Sequence, residues 1–165
     1  HRYAVVEMGA AKAGDIAYLA SIAEPDVGVL CNVGPAHLEG FGSLEGVALA
    51  KGEMFAALPE EGWAVMNADE PYLARWRAMN TAGHVITFGR GAGAEVRVVP
   101  SAFGSRMVTP AGAFDLELPL PGEHNLVNAA TAAAMRPGQT IRDLQDLPRL
   151  EPVGLGCLEL IRGYA

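Results

Sequence analysis

The sequence contains no apolar run that approaches the roughly 20 residues needed to span a bilayer, and no signal-peptide pattern opens it. It has only two cysteines, Cys31 and Cys157, which are far apart and form no metal or redox motif, so thiols in a reducing compartment are expected. It also lacks a basic cluster, and its net charge is −7 at pH 7. These absences predict a cytoplasmic protein that binds neither a membrane nor nucleic acid.

What is present is typical of one globular domain. Half of the 165 residues are hydrophobic, which is enough for a sizeable core. There are no internal repeats and no long linker, so we expect a single domain over residues 1–165. A buried strand that begins at residue 3 also suggests that a further strand belongs upstream of it.

The apolar periodicity predicts an alternation of strands and helices. Strands are predicted at 3–6, 27–33, 63–66 and 84–88, and helices at 15–23, 43–58 and 72–79. Short antiparallel strands are predicted at 95–99, 106–109 and 113–118, followed by helices at 123–134 and 140–147 and a strand at 158–161. This order predicts a three-layer α/β fold with a mostly parallel sheet and a small antiparallel addition.

One lysine interrupts the apolar face of the predicted helix 43–58. That face consists of Leu44, Val47, Ala48, Met54, Phe55 and Leu58. Lys51 falls among them, where its ammonium would lose hydration. Two interpretations remain open: a side chain whose stem packs while its head reaches water, or an amine whose burial prepares it for chemistry.

Polar residues follow several of the predicted strands. Glu7 ends the first, the loop 34–37 with His37 follows the second, and Asn67 and Asp69 follow the third. In open α/β sheets, ligands bind at the carboxyl ends of the strands. The structural alternatives are a solvated acid at Glu7 and turn formation at Asn67 and Asp69.

Several ordered motifs resemble the central domain of the Mur ligase family. They are residues 6–10 (Val-Glu-Met-Gly-Ala), 14–19 (Gly-Asp-Ile-Ala-Tyr-Leu), 32–43 (Asn-Val-Gly-Pro-Ala-His-Leu-Glu-Gly-Phe-Gly-Ser), 50–53 (Ala-Lys-Gly-Glu), 67–69 (Asn-Ala-Asp) and 122–130 (Gly-Glu-His-Asn-Leu-Val-Asn-Ala-Ala). The sequence at residues 7–10 and 36–43 is most similar to the branch of the family that adds D-alanyl-D-alanine to UDP-N-acetylmuramoyl-tripeptide. The resemblance implies a fold related to the phosphate-loop NTPases.

The resemblance also implies cofactors and roles. The family joins a carboxylate to an amine through an acyl phosphate, with ATP and Mg²⁺. Glu7, His37 and Lys51 would bind magnesium, Lys51 as a carbamate, and Lys51 and His37 would be catalytic. The adenine side of ATP would meet the segment with Asn125 and Asn128, and the residues expected to bind the nucleotide are His124, Asn125, Asn128, Asn67 and Asp69. Unmodified Lys51 is expected to pair with Glu7. A helix cap is the structural alternative for Asn125.

The sequence departs from the family in ways that bear on activity. It has no Gly-x-x-Gly-Lys-Thr/Ser phosphate loop, and Cys157 stands where the family has an arginine. The family's UDP-binding and C-terminal domains are also outside it. We therefore expect the isolated chain to be inactive. The alternatives are a non-catalytic remnant that acts as a binding module, and a related amide ligase of the folylpolyglutamate or cyanophycin synthetase type.

Overall fold

The computed structural model describes residues 3–35, 38–102, 104–116, 122–135 and 158–163. The strands in this part of the chain are β1 (Tyr3–Glu7), β2 (Val27–Leu30), β3 (Trp63–Asn67), β4 (His84–Gly89), β5 (Val96–Ser101), β6 (Gly104–Thr109), β7 (Gly112–Leu116) and β8 (Leu158–Gly163). The helices are α1 (Asp15–Ala23), α2 (Leu38–Phe41), α3 (Leu44–Ala56), α4 (Leu73–Met79) and α5 (Glu123–Ala134). None of these helices is long and apolar enough to cross a membrane.

All of these strands form one sheet in the order β1-β8-β2-β3-β4-β5-β6-β7. The strands β2, β3, β4 and β5 pair in parallel, whereas β5, β6 and β7 pair antiparallel. β8 runs antiparallel to both of its neighbours, β1 and β2, so β1 points in the same direction as β2. The prediction of a mostly parallel sheet with a small antiparallel addition is confirmed.

Helices cover both faces of the sheet. Successive residues of a strand point to opposite sides, so each central strand contributes side chains to a core on each face. On one face Val29 and Val65 belong to a core with the buried alanines of α5, whose small side chains let that helix lie close to the strands. On the other face Leu30 and Met66 belong to a core with residues of α1, α3 and α4. The predicted three layers are therefore present.

Helix α3 is fixed closely against the sheet and against α4. A Cβ atom on Gly28 of β2 would lie 2.8 Å from Cγ of Met54, and one on Gly52 would lie 2.9 Å from Cδ1 of Trp76. The Trp76 indole is fully buried, and its Nε1–H donates to the main-chain oxygen of Ala48 at 2.9 Å. These contacts set the position of the helix that carries Lys51.

Some predicted elements were wrong in extent. β2 ends at Leu30 rather than at residue 33, because its ladder with β3 stops there and the main-chain oxygen of Cys31 accepts a bond from the Asn67 side chain instead. The short helix α2 was not predicted, since a four-residue segment with a glycine gives little helical signal. The predicted helix at 140–147 lies outside the described residues.

Candidate functional site

Lys51 lies on α3 and reaches the carboxyl end of β2. Its Nζ donates to the main-chain oxygen of Asn32 at 3.1 Å in a partly buried position. The expected pairing of Lys51 with Glu7 was wrong: no ion pair joins these two residues in the described part of the chain. Glu7 ends the edge strand β1 and is exposed, whereas the Asn32 carbonyl lies directly within reach of Lys51.

The Asn32 side chain adds an acceptor without a donor. Its Oδ1 is buried and has no hydrogen-bond partner within the described structure. A buried oxygen without a donor costs free energy, so it suits a bound group that supplies one, such as a water on a hard cation. Oxygen donors are also the ligands that Mg²⁺ prefers, and the Glu7 carboxylate supplies two. The donor chemistry therefore fits the implied metal.

The predicted metal ligands are only partly visible. His37 lies outside the described residues, so the prediction for it stays a prediction. Among the residues that are described, no group of three His, Cys, Asp or Glu side chains could hold a metal ion. A lysine carbamate is not one of those side chains, and it would supply two further oxygen atoms at Lys51.

Glu70 lies at the same edge of the sheet, and it was not among the site residues predicted from the sequence. Its Oε1 accepts the main-chain N–H of Val33 at 3.2 Å, which ties the end of β3 to the segment after β2. Burial raises the pKa of the Glu70 carboxyl, while the Val33 N–H and the Lys51 ammonium lower it and Asp69 raises it further; the net shift is upward from the ordinary 4.5. Glu70 therefore lies in the electrostatic field of Lys51.

Replacing Glu70 with glutamine tests this assignment. The upward-shifted pKa means that the folded state holds the proton more tightly than the unfolded state, so ionisation costs stability as the pH rises through the folded pKa. The glutamine side chain can keep the Val33 bond without the charge. We expect the variant to gain stability relative to the wild type between about pH 4 and about pH 7, measured by urea unfolding. A relative stability that falls over this range would contradict the assignment.

Asn67 and Asp69 make contacts within the protein. Asn67 is buried; its Nδ2 donates to the main-chain oxygen of Cys31 at 2.6 Å, and its Oδ1 accepts the N–H of Asp69 at 2.9 Å. The Asp69 carboxylate accepts the main-chain N–H groups of Arg90 and Gly91 at 2.7 and 2.9 Å. These bonds match the turn-forming alternative, and the predicted nucleotide contacts of both residues stay predictions.

Arg90 connects this edge to the start of α5. Its guanidinium forms two bonds to the Glu123 carboxylate, at 2.7 and 3.3 Å. Gly89 has φ 156°, and a Cβ there would lie 2.8 Å from Asp69, so only glycine fits this turn. A line of contacts thus runs from Glu70 and its neighbour Asp69 through Arg90 to α5. It could not be found from local sequence patterns, because every partner is distant in the chain.

The predicted nucleotide residues lie in the first turns of α5. Asn125 and Asn128 are three residues apart, which places them on one face of the helix, and both are half-buried. His124 is exposed. The helix is preceded by Gly122 with φ 111°, which occupies the cap position that the structural alternative gave to Asn125. The polar face of α5 thus lies at the end of the contact line.

The sequence is similar to a family of known proteins. Residues 1–136 match the Mur ligase middle domain. The UDP-N-acetylmuramoyl-tripeptide–D-alanyl-D-alanine ligase of Escherichia coli (strain K12) is 42% identical over 139 residues, which cover 81% of this chain and 31% of the relative. The ligase of the same name from Haemophilus influenzae is 38% identical over 150 residues, which cover 88% and 33%.

Solved structures agree with the sequence similarity. The MurF ligase from Thermotoga maritima in complex with ADP matches with a TM-score of 0.70 and 32% identity, covering 88% of this chain and 35% of that one. MurF from Acinetobacter baumannii matches with a TM-score of 0.67 and 30% identity, covering 77% and 29%. The chain therefore spans about a third of the length of the curated relatives cited above.

Proposed function

Because the chain belongs to the Mur ligase middle-domain family, we propose that it is the central domain of a ligase that joins D-alanyl-D-alanine to UDP-N-acetylmuramoyl-tripeptide at the expense of ATP. The observation that carries this proposal is the 42% identity to the Escherichia coli ligase of that activity. The enzyme would act in the cytoplasm, and the UDP-linked substrate and the amine would be bound mainly by the rest of a longer protein.

The chemistry begins at Lys51. A lysine reacts with CO₂ only as the free amine; the new N–C bond gives a carbamate and releases a proton. The bond from Nζ to the Asn32 oxygen already directs the amine to the carboxyl edge of the sheet. A carbamate keeps one N–H and can keep this bond while its two oxygens stay open to other partners at that edge. Asn32 would thus orient the modified side chain.

Glu7, His37 and the Lys51 carbamate would hold magnesium at this edge. The metal, when bound, offsets negative charge on the transferring phosphoryl group and on the acyl phosphate. Helix α5 would contact the adenine side of ATP through Asn125 and Asn128. The Thermotoga maritima MurF structure is a complex with ADP, which supports the use of an adenine nucleotide.

A chimera tests the proposal directly. The matched part of the Escherichia coli ligase is replaced by residues 1–136 of this chain, and ATP-dependent ligation of D-alanyl-D-alanine is measured. We expect phosphate release that requires both the UDP-linked tripeptide and the dipeptide. A folded chimera without this activity would favour the non-catalytic alternative, provided that returning the Escherichia coli segment restores ligation in the same assay. Activity with glutamate or with a cyanophycin primer in place of the dipeptide would favour a related amide ligase.

The isolated chain is expected to bind Mg-ATP weakly, no tighter than about millimolar, which corresponds to roughly 4 kcal/mol. It has no phosphate loop to supply backbone donors and a lysine to the β- and γ-phosphates. Isothermal titration with Mg-ATP measures this, and Asn128→Ala should weaken what binding there is. Low-micromolar affinity for the wild type would contradict the prediction.

A further inference from the structure

Glu53 makes a contact between two helices that the proposed chemistry does not use. It lies on α3, and its Oε1 accepts the main-chain N–H of Gly14 at 2.8 Å while its Oε2 accepts that of Ala17 at 3.1 Å. Both amides belong to the beginning of α1, where N–H groups lack partners within the helix. The carboxylate charge also suits the positive end of the α1 dipole.

Helix α1 depends on this distant carboxylate for its cap. The cap position is Gly14, which has φ 89° and no side chain that could accept a bond. Asp15 is already used in the preceding turn, where its Oδ2 accepts the N–H groups of Ala11 and Lys12 at 2.9 and 3.1 Å. Glu53 on α3 thus supplies the hydrogen-bond acceptor that the local sequence of α1 lacks.

The location of Glu53 relates it to the proposed site. It follows Lys51 by two residues on α3. The amides that it binds, at Gly14 and Ala17, close the segment 8–17, which follows Glu7 at the end of β1. Helix α2 packs against the same segment, since a Cβ on Gly40 would clash with the main-chain oxygen of Ala11. The two bonds of Glu53 therefore join the segment that follows one proposed metal ligand to the helix that carries another.

We propose that Glu53 is a positioning residue that sets the separation between Glu7 and Lys51. The inference rests on the proposed function, because it takes both residues as metal ligands. The alternative is a cap that stabilises α1 without affecting the site. The two roles predict different effects of a conservative variant. If Glu53 positions the site, the segment after β1 shifts relative to Lys51 in the variant. If Glu53 only caps α1, the variant changes the free energy of unfolding and nothing else.

The test uses Glu53→Gln, which keeps one acceptor oxygen and so can accept from only one of the two amides. Glu45→Gln is the matched control, because Glu45 lies on the same helix, is exposed and pairs with Arg75 away from this segment. Two measurements are made on the 165-residue chain: amide chemical shifts and hydrogen exchange of residues 7–17, and Mn²⁺ affinity in bicarbonate buffer by electron paramagnetic resonance. Urea unfolding of each variant reports stability separately.

We expect Glu53→Gln to lose exchange protection at Gly14 or Ala17, to shift the amides of Glu7 and Met8, and to weaken Mn²⁺ binding about tenfold. Glu45→Gln should change none of these. Unchanged shifts at residues 7–9 would overturn the proposal, as would unaltered Mn²⁺ affinity in a variant that has lost protection. If the wild type itself binds no Mn²⁺, the metal site of the proposed function fails, and the chemical shifts alone decide whether Glu53 positions the segment.

Discussion

Replacing Trp76 with alanine is expected to lower the free energy of unfolding by about 3–5 kcal/mol. The indole is fully buried, its ring centroid lies 6.1 Å from that of Phe55 and 6.4 Å from that of Tyr72, and its N–H is bonded to Ala48. The truncation leaves a cavity between α3 and α4 and an acceptor at Ala48 without its donor. Urea unfolding followed by circular dichroism measures the loss.

Two further variants separate the causes. Trp76→Phe keeps an aromatic ring but removes the donor to Ala48, so it should cost about 1–3 kcal/mol. The neighbouring Arg77→Ala changes an exposed side chain and should change stability by about 0.5 kcal/mol or less. A loss for Trp76→Ala no greater than for Arg77→Ala would show that the indole does not hold α3 against α4.

Replacing Lys51 with methionine should reduce ligation by the chimera at least about 100-fold while leaving the fold intact. Methionine has a similar length and no amine, so it cannot form a carbamate, and preorganised charge of this kind commonly contributes such a factor. The stability of the chain should change by less than about 1 kcal/mol, and could rise slightly, because the partly buried ammonium is removed.

Initial rates of phosphate release and urea unfolding provide the two measurements. The wild-type chain with Mg²⁺ and ¹³C-bicarbonate should in addition show a carbamate resonance that Lys51→Met lacks. Glu45→Gln on the same helix is the control and should retain activity. Full activity of Lys51→Met would contradict the role of the lysine. A lower rate of phosphate release together with a correspondingly lower free energy of unfolding would indicate that Lys51 contributes only to the structure.

The sequence predicted the layers of the fold because each strand and helix carries its own periodicity. The alternation that sends Val29 to one core and Leu30 to the other is visible in the residues themselves. The position of β8 in the sheet was not predicted, since apolar periodicity identifies a strand but does not determine its neighbours. The length of β2 was overestimated for a related reason: the side chain of Asn67 takes the main-chain bond at Cys31 that would have extended the ladder.

The candidate site was predicted only where a residue was anomalous in its own element. Lys51 stands out on an apolar helix face, and the structure directs it to the end of β2. Glu70, Arg90 and Glu53 have no such signal, because a polar residue near the end of a strand or on an exposed helix face is ordinary. Their partners, Val33, Glu123 and Gly14, are distant in sequence and meet them only in the folded chain.

The placement of β8 has a consequence for the order of folding. β8 is the sheet neighbour of β1, and Tyr3 pairs with Gly163 across nearly the whole length of the chain. Closing so long a loop costs more entropy than pairing β2 with β3, so β1 is expected to join the sheet late and to leave it first on partial unfolding. Glu7 lies on that strand. A local opening at one end of the sequence would therefore release Glu7 from the sheet while the central strands stay paired.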